Sequence, residues 1–202
     1  MQTLLQQTDS YTLLKAERAE KRLSHAYLLH FADERNLRFA LQSFAKILLD
    51  CDTCATLSQK RRAELIDKDS FSDCLFFPAT DKKLSVDDNE KIREESILQP
   101  VEGDKKVFVI GDFAEANVQT QNKLLKLLEE PPAGVIFLLG ATTVYPVLPT
   151  VLSRTKRLDI PAFSTEQVRA CLARTYGRTY DENTLSLCAV CANGSVGQAQ
   201  NM

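Results

Sequence analysis

The run KKVFVIGD, Lys105–Asp112, constrains the fold most. Four apolar residues follow one another from Val107 to Ile110, so an extended segment here is apolar on both faces and both must be covered. Such a run suits a strand in a parallel sheet with helices on each side. Further strands are expected at AYLLH, CLFFP (stopped by Pro78), GVIFLLGAT and TKRLDIP. Between them lie segments of helical periodicity. Ser10–Arg22 reads as a helix capped by Ser10. In LRFALQSFAKILL, Leu37, Ala40, Leu41, Phe44, Ala45 and Leu48 recur at helical spacing, and CDTCATLSQKRRAELIDK gives a turn and a polar helix. SVDDNEKIREESILQP is a helix capped by Ser85 or Asp87. NVQTQNKLLKLLEE is another, ended by Pro131 and Pro132, and YPVLPTVLSR contains a short one. The alternation predicts an α/β fold with a five-stranded, mostly parallel sheet flanked by helices.

After Pro161 the pattern changes. STEQVRACLARTYG, DENTLSLCAVCANG and SVGQAQNM read as three helices with no strand between them, with Gly177 and Gly194 as C-terminal caps. The boundary falls near residue 162, giving an α/β core over 1–162 and a small three-helix domain over 163–202.

The turn after the first strand, FADERN, occupies the slot where a phosphate loop would stand. Such a loop needs glycines to curl backbone N–H groups around phosphate, a lysine for the outer phosphates and a hydroxyl for magnesium. This turn has no glycine and no lysine, and it offers Asp33 and Glu34, whose charge repels phosphate. At the end of VFVIGDFAEA, Gly111 stands where a magnesium-binding acid belongs, and Asp112 where a glutamate would be usual. Two matched defects in the right order describe a decayed nucleotide site, so ATP is not expected to bind.

SHAYLLH, NVQTQNKLLKLLEEPPAGVIFLLGATTVYPVLPTVLSRTKRLDIP and ANGSVGQAQ together resemble the delta-prime subunits of the bacterial DNA polymerase III clamp loader and are similar to its gamma/tau subunits. The resemblance runs from about His25 to Ala199 and is poor from Asp50 to Asp73. It implies an AAA+ core followed by a three-helix lid. The collar domain that follows the lid in that family has no counterpart after Met202, which reads as a fragment or an unusually short member. A delta-prime chain does not hydrolyse ATP itself. It completes the ATP site of a neighbour, and the resemblance makes Arg154 a trans-acting arginine finger, with Ser153 helping to fix its loop. A permanently charged, planar guanidinium suits that work because it meets charge developing on the transferring phosphoryl group. Thr155 stands where the family has cysteine, and the lid arginine that senses nucleotide in active relatives is missing near Gly197. The implied partners are gamma/tau and delta subunits, with the sliding clamp and primer-template DNA met through the assembled complex. Thr142 and Thr143 read as caps of the turn that follows them.

Cys51 and Cys54 form a Cys-x-x-Cys pair where delta-prime relatives carry a four-cysteine zinc module. Structural zinc takes four N or S ligands. Cys74 belongs to a strand, and His25 and His30 lie away from the pair, so Cys51 and Cys54 read as the relic of a metal site. Cys188 and Cys191 are read as core packing of the small domain beside Leu185 and Leu187. The Lys60–Arg62 run, followed closely by acids, reads as a solvated helix face.

Composition bounds the alternatives. A chain of 202 residues with a formal net charge of -2 is not strongly basic, which argues against a nucleic-acid footprint over the whole surface. No apolar run reaches the length of a membrane span, and the N-terminus lacks a basic-then-apolar signal, so a cytoplasmic location is expected. Its 6 cysteines are then free thiols or metal ligands. The alternative functions are an autonomous AAA+ ATPase or nucleotide switch, against which FADERN and Gly111 count, and a zinc- or thiol-based interaction module.

Overall fold

The computed structural model describes residues 1–79, 83–177 and 179–202. Two helices, α1 (Gln2–Gln6) and α2 (Asp9–Ala19), lead into β1 (Ala26–Phe31), α3 (Glu34–Leu48) and α4 (Leu57–Asp67). β2 (Cys74–Phe77), α5 (Val86–Ile97), β3 (Lys106–Asp112), a 3-10 turn (Phe113–Glu115), α6 (Val118–Glu129) and β4 (Val135–Ala141) follow. α7 (Pro149–Leu152), β5 (Lys156–Ile160), α8 (Thr165–Tyr176), α9 (Glu182–Cys191) and α10 (Val196–Gln200) complete the order.

The strands form one 5-stranded sheet in the order β2-β3-β4-β1-β5, and every pairing is parallel. The α/β architecture read from the alternation of runs is therefore present. Its apolar strands have two buried faces, as the continuous runs required. On β1, Tyr27, Leu29 and Phe31 point to one core, and Ala26 and Leu28 to the other. The first core packs α1–α4 against the sheet, and the second packs α5, α6 and α7. Phe137 lies at the centre of the second, fully buried, its ring stacked on Phe108 with centroids 5.5 Å apart. The three helices after β5 share the first core: Val168, Leu172, Ala189 and Val196 belong to it, and Phe163 meets the ring of Phe31 edge-on at 6.0 Å. Among the described residues no helix is long and apolar enough to cross a membrane.

Several local expectations change. The cap of α2 is Thr8, not Ser10. Thr8 Oγ1 accepts from the Tyr11 N–H at 3.3 Å, which brings Asp9 into the first turn, where the helix dipole favours an acid. Ser10 Oγ instead donates to the Asp159 carbonyl at 2.6 Å and ties α2 to β5. Gly177 ends α8 with φ −62, an ordinary right-handed geometry, whereas Gly194 takes the left-handed region at φ 83. A Cβ on Gly194 would meet the Phe163 carbonyl oxygen at 2.6 Å, so the return from α9 needs glycine for space as well as for φ. The core-packing expectation holds for half-buried Cys188, which packs against the first core beside buried Leu185, but not for Cys191 and Leu187, which are exposed; Ala189 is buried in their stead. Being apolar nearly all round, that helix gave no clue to which side faces in.

Phe137→Ala removes a large ring from the closed face and leaves a cavity. It is expected to lower the unfolding free energy by about 3–5 kcal/mol, read from urea denaturation.

Candidate functional site

In open parallel sheets the carboxyl ends of the strands are where ligands bind. Here those ends of β1, β3 and β4 lie side by side, and each is occupied by the chain's own groups.

Only Ala32 and Asp33 separate β1 from α3. The apolar strand can feed directly into the helix because Asp33 caps it, its Oδ1 accepting from the Asn36 N–H at 3.3 Å. The Asn36 side-chain amide donates to Oδ2 at 3.0 Å. A third donor comes from far along the chain: the buried Gly197 N–H, in the first turn of α10, meets Oδ2 at 2.8 Å. Asp33 is 3% exposed. A buried carboxylate with N–H donors at a helix start is the same chemistry as a phosphate in a glycine-rich cradle, with the anion supplied by the protein. Gly197 is needed for the contact, since a Cβ there would stand 2.2 Å from Asp33 Oδ1 and 2.8 Å from the Arg35 Cβ. Arg35 also hydrogen bonds Asn201 and adds a second link from α3 to the C-terminal helix.

The end of β3 is treated similarly. The ladder shifts between Ile110 and Asp112, so Ile110 pairs with Leu139 and Asp112 with Gly140. The bulge leaves Gly111 out of register and turns Asp112 toward β4. Its Oδ1 accepts from Ala114 N and Thr142 N, each at 3.2 Å, and its Oδ2 accepts from the Thr142 hydroxyl. Thr142 therefore holds Asp112 instead of capping its own turn. Thr143 does cap weakly, its Oγ1 accepting from Tyr145 N at 3.4 Å.

Arg154 follows α7 in the turn before β5. Its Nη2 lies 2.6 Å from Glu129 Oε1, and its Nη1 donates to the Thr150 carbonyl at 2.8 Å and to Ser153 Oγ at 3.2 Å. Ser153 thus contacts the guanidinium directly. The arginine is partly exposed, at 35%. Glu129 was not anticipated from the sequence. The only local hint is its place at the last turn of α6 before the two prolines.

The structure places Cys51 and Cys54 apart in burial. Cys51 is buried in the first core, and the Cys54 Sγ turns back to the Cys51 carbonyl at 3.5 Å. Among the described residues no group of three or more His, Cys, Asp or Glu is placed to hold a metal ion. His30 is 2.9 Å from Asp159 Oδ1 at the far end of β1. Burial pushes the Cys51 thiol up to about 12 and raises that of Cys74. The neighbouring Asp52 is committed to Lys15 and Arg18. Arg61 pairs with Glu102 on the surface, as a solvated helix face would.

Asp33→Ala deletes a cap and strands the buried Gly197 N–H. A loss of about 2–3 kcal/mol in urea denaturation is expected, with faster hydrogen exchange at Gly197. Exchange unchanged at that amide would show that Asp33 does not hold α10. Raised pKa values keep Cys51 and Cys74 protonated at neutral pH, so a disulfide reagent is expected to label exposed Cys191 first and these two only after unfolding. Native labelling of Cys51 as fast as that of Cys191 would contradict the burial.

The family described as "DNA polymerase III, delta subunit" matches residues 6–164. DNA polymerase III subunit tau of Salmonella typhimurium is 30% identical over 155 residues, which is 75% of this chain and 23% of that protein. Subunit tau of Bacillus subtilis is 26% identical over 194 residues, 91% of this chain and 33% of its own length. The chain thus spans a third or less of these relatives. Among solved structures, a DNA polymerase III gamma subunit-related protein from Thermotoga maritima superposes with TM-score 0.61 at 18% identity, covering 93% of this chain and 59% of that one. A RuvB mutant of the same organism gives TM-score 0.59 at 14% identity over 100% of this chain and 60% of the other. These two show the AAA+ fold alone. The family match takes in well over half of the sequence, and the chain belongs to the DNA polymerase III, delta subunit, family.

Proposed function

We propose that this chain is a delta-prime-like subunit of a DNA polymerase III clamp loader, one that binds no nucleotide and lends Arg154 to the ATP site of an adjacent subunit. Residues 163–202 act as its lid. Its partners are gamma/tau and delta subunits, and it meets the sliding clamp and primer-template DNA only through the assembled complex.

The observation behind the non-catalytic half is Asp33. A triphosphate at the β1–α3 turn would have to displace a buried carboxylate already holding three N–H donors, and the one cation in FADERN, Arg35, is engaged with Asn201. Asp112 is likewise spent on protein donors and is not open to magnesium. Arg154 differs, because its Nε has no acceptor among the described residues and its side chain reaches solvent. In trans, a guanidinium of this kind stabilises the charge on a transferring phosphoryl group and is worth roughly 10³-fold or more in rate.

Two measurements test the reading. Titration of MgATP into the isolated chain is expected to give no saturable heat, and tight binding would restore the autonomous ATPase. In a loader reconstituted with gamma/tau and delta subunits, Arg154→Ala is expected to leave assembly intact and to slow single-turnover hydrolysis at the adjoining site by about 10³-fold. Unchanged hydrolysis would remove the finger.

A further inference from the structure

Resting on that reading of Arg154, we propose that Glu129 is its positioning residue, restricting the swing of the guanidinium so that its unpartnered N–H groups are held in one place for a neighbouring subunit. An arginine on a surface turn has four rotatable side-chain bonds and would spread its charge over many positions. Here two hydrogen-bond acceptors and one ion-pair partner restrict it. Thr150 and Ser153 come from its own turn, and both take Nη1. Those contacts alone leave the group free to swing about Nη1. Glu129 supplies the second point, 2.6 Å from Nη2, from a different element. With both ends of the guanidinium engaged, two N–H groups are left without a partner among the described residues, Nε and one of the pair on Nη2.

The anchor for this second point is itself rigid. α6 ends at Glu129 because Pro131 and Pro132 follow. Its position against α7 is set by Gln121, which is 1% exposed. The Gln121 side-chain amide donates to the Ala116 and Pro146 carbonyls, each at 3.0 Å, and its Oε1 accepts from Leu148 N at 2.9 Å. Val151 of α7 and Leu124 and Leu128 of α6 are buried in the same core. The carboxylate is thus presented to Arg154 by a braced pair of helices. Glu129 and Arg154 are both part-exposed, at 45% and 35%, so the pair is screened by water, and Glu129 orients the charge of Arg154 without burying it.

The test uses the reconstituted loader and measures ATP hydrolysis under single-turnover and steady-state conditions. Glu129→Ala is expected to lower the hydrolysis rate about 10-fold with KM for ATP unchanged, since misdirecting a group used only in the transition state reduces kcat. Glu129→Gln keeps an acceptor at the same reach and is expected to recover most of that loss. In an Arg154→Ala background, Glu129→Ala is expected to add nothing. A full effect of Glu129→Ala in that background would assign it a structural role, and no effect in the wild-type background would remove the proposal. Should Arg154→Ala itself be silent, the finger reading fails whatever Glu129 does. Subunit co-purification and circular dichroism of each variant establish that it folds and assembles.

Discussion

The structure turns on a carboxylate buried without a cation. Moving an anion out of water is costly unless donors replace its hydration. Asp33 meets that condition with the Asn36 N–H, the Asn36 side-chain amide and the Gly197 N–H, and with the positive end of α3. Removing any partner exposes the others, so the arrangement holds as a unit. Because one donor comes from α10, the anion that completes the helix start also fixes the last helix against the sheet. The tie spans 164 positions of sequence, and it works only because Gly197 has no side chain.

At β3 the same solution is reached by a different device. A bulge turns Asp112 toward β4, and Thr142 closes on it with both N–H and O–H. A strand end that would otherwise present an open acid is knitted to its neighbour. The two carboxylates at this edge of the sheet therefore serve cohesion. The cationic group two elements away, Arg154, is held by acceptors on one side only.

What could be read from the sequence divides along a physical line. The fold was legible because burial on both faces leaves uninterrupted apolar runs, and Lys105–Asp112 shows it. The cap of α5 was narrowed to Ser85 or Asp87, and Ser85 holds it. The cap of α2 was not legible: Thr8 and Ser10 are both competent, and the choice depends on Asp159, a partner on β5. The absence of a phosphate cradle was plain in FADERN. That Asp33 fills the place itself was hidden, since neither Asp33 nor Gly197 carries a local sign of the other. Cys191 and Leu187 were misread for the converse reason, because a helix apolar on most sides does not declare its buried face. Glu129 lay in a recognisable helix end, but its pairing depends on where α7 docks, and that rests on Gln121.

These features bear on one another through the sheet. Arg154 stands just ahead of β5. That strand pairs along its length with β1, Leu29 opposite Leu158 and Phe31 opposite Ile160, and β1 runs straight into Asp33. Nucleotide-driven movement needs a ligand that distinguishes two states of a protein. Under the proposed role, a chain whose anion is its own side chain has no such ligand at this turn, so no bound nucleotide would shift the link from α10 through Asp33 to β5. Under the proposed role, Arg154 is then presented in a constant position. Any change that brings it onto a phosphate, or takes it off, has to come from movement of the neighbour that holds the nucleotide.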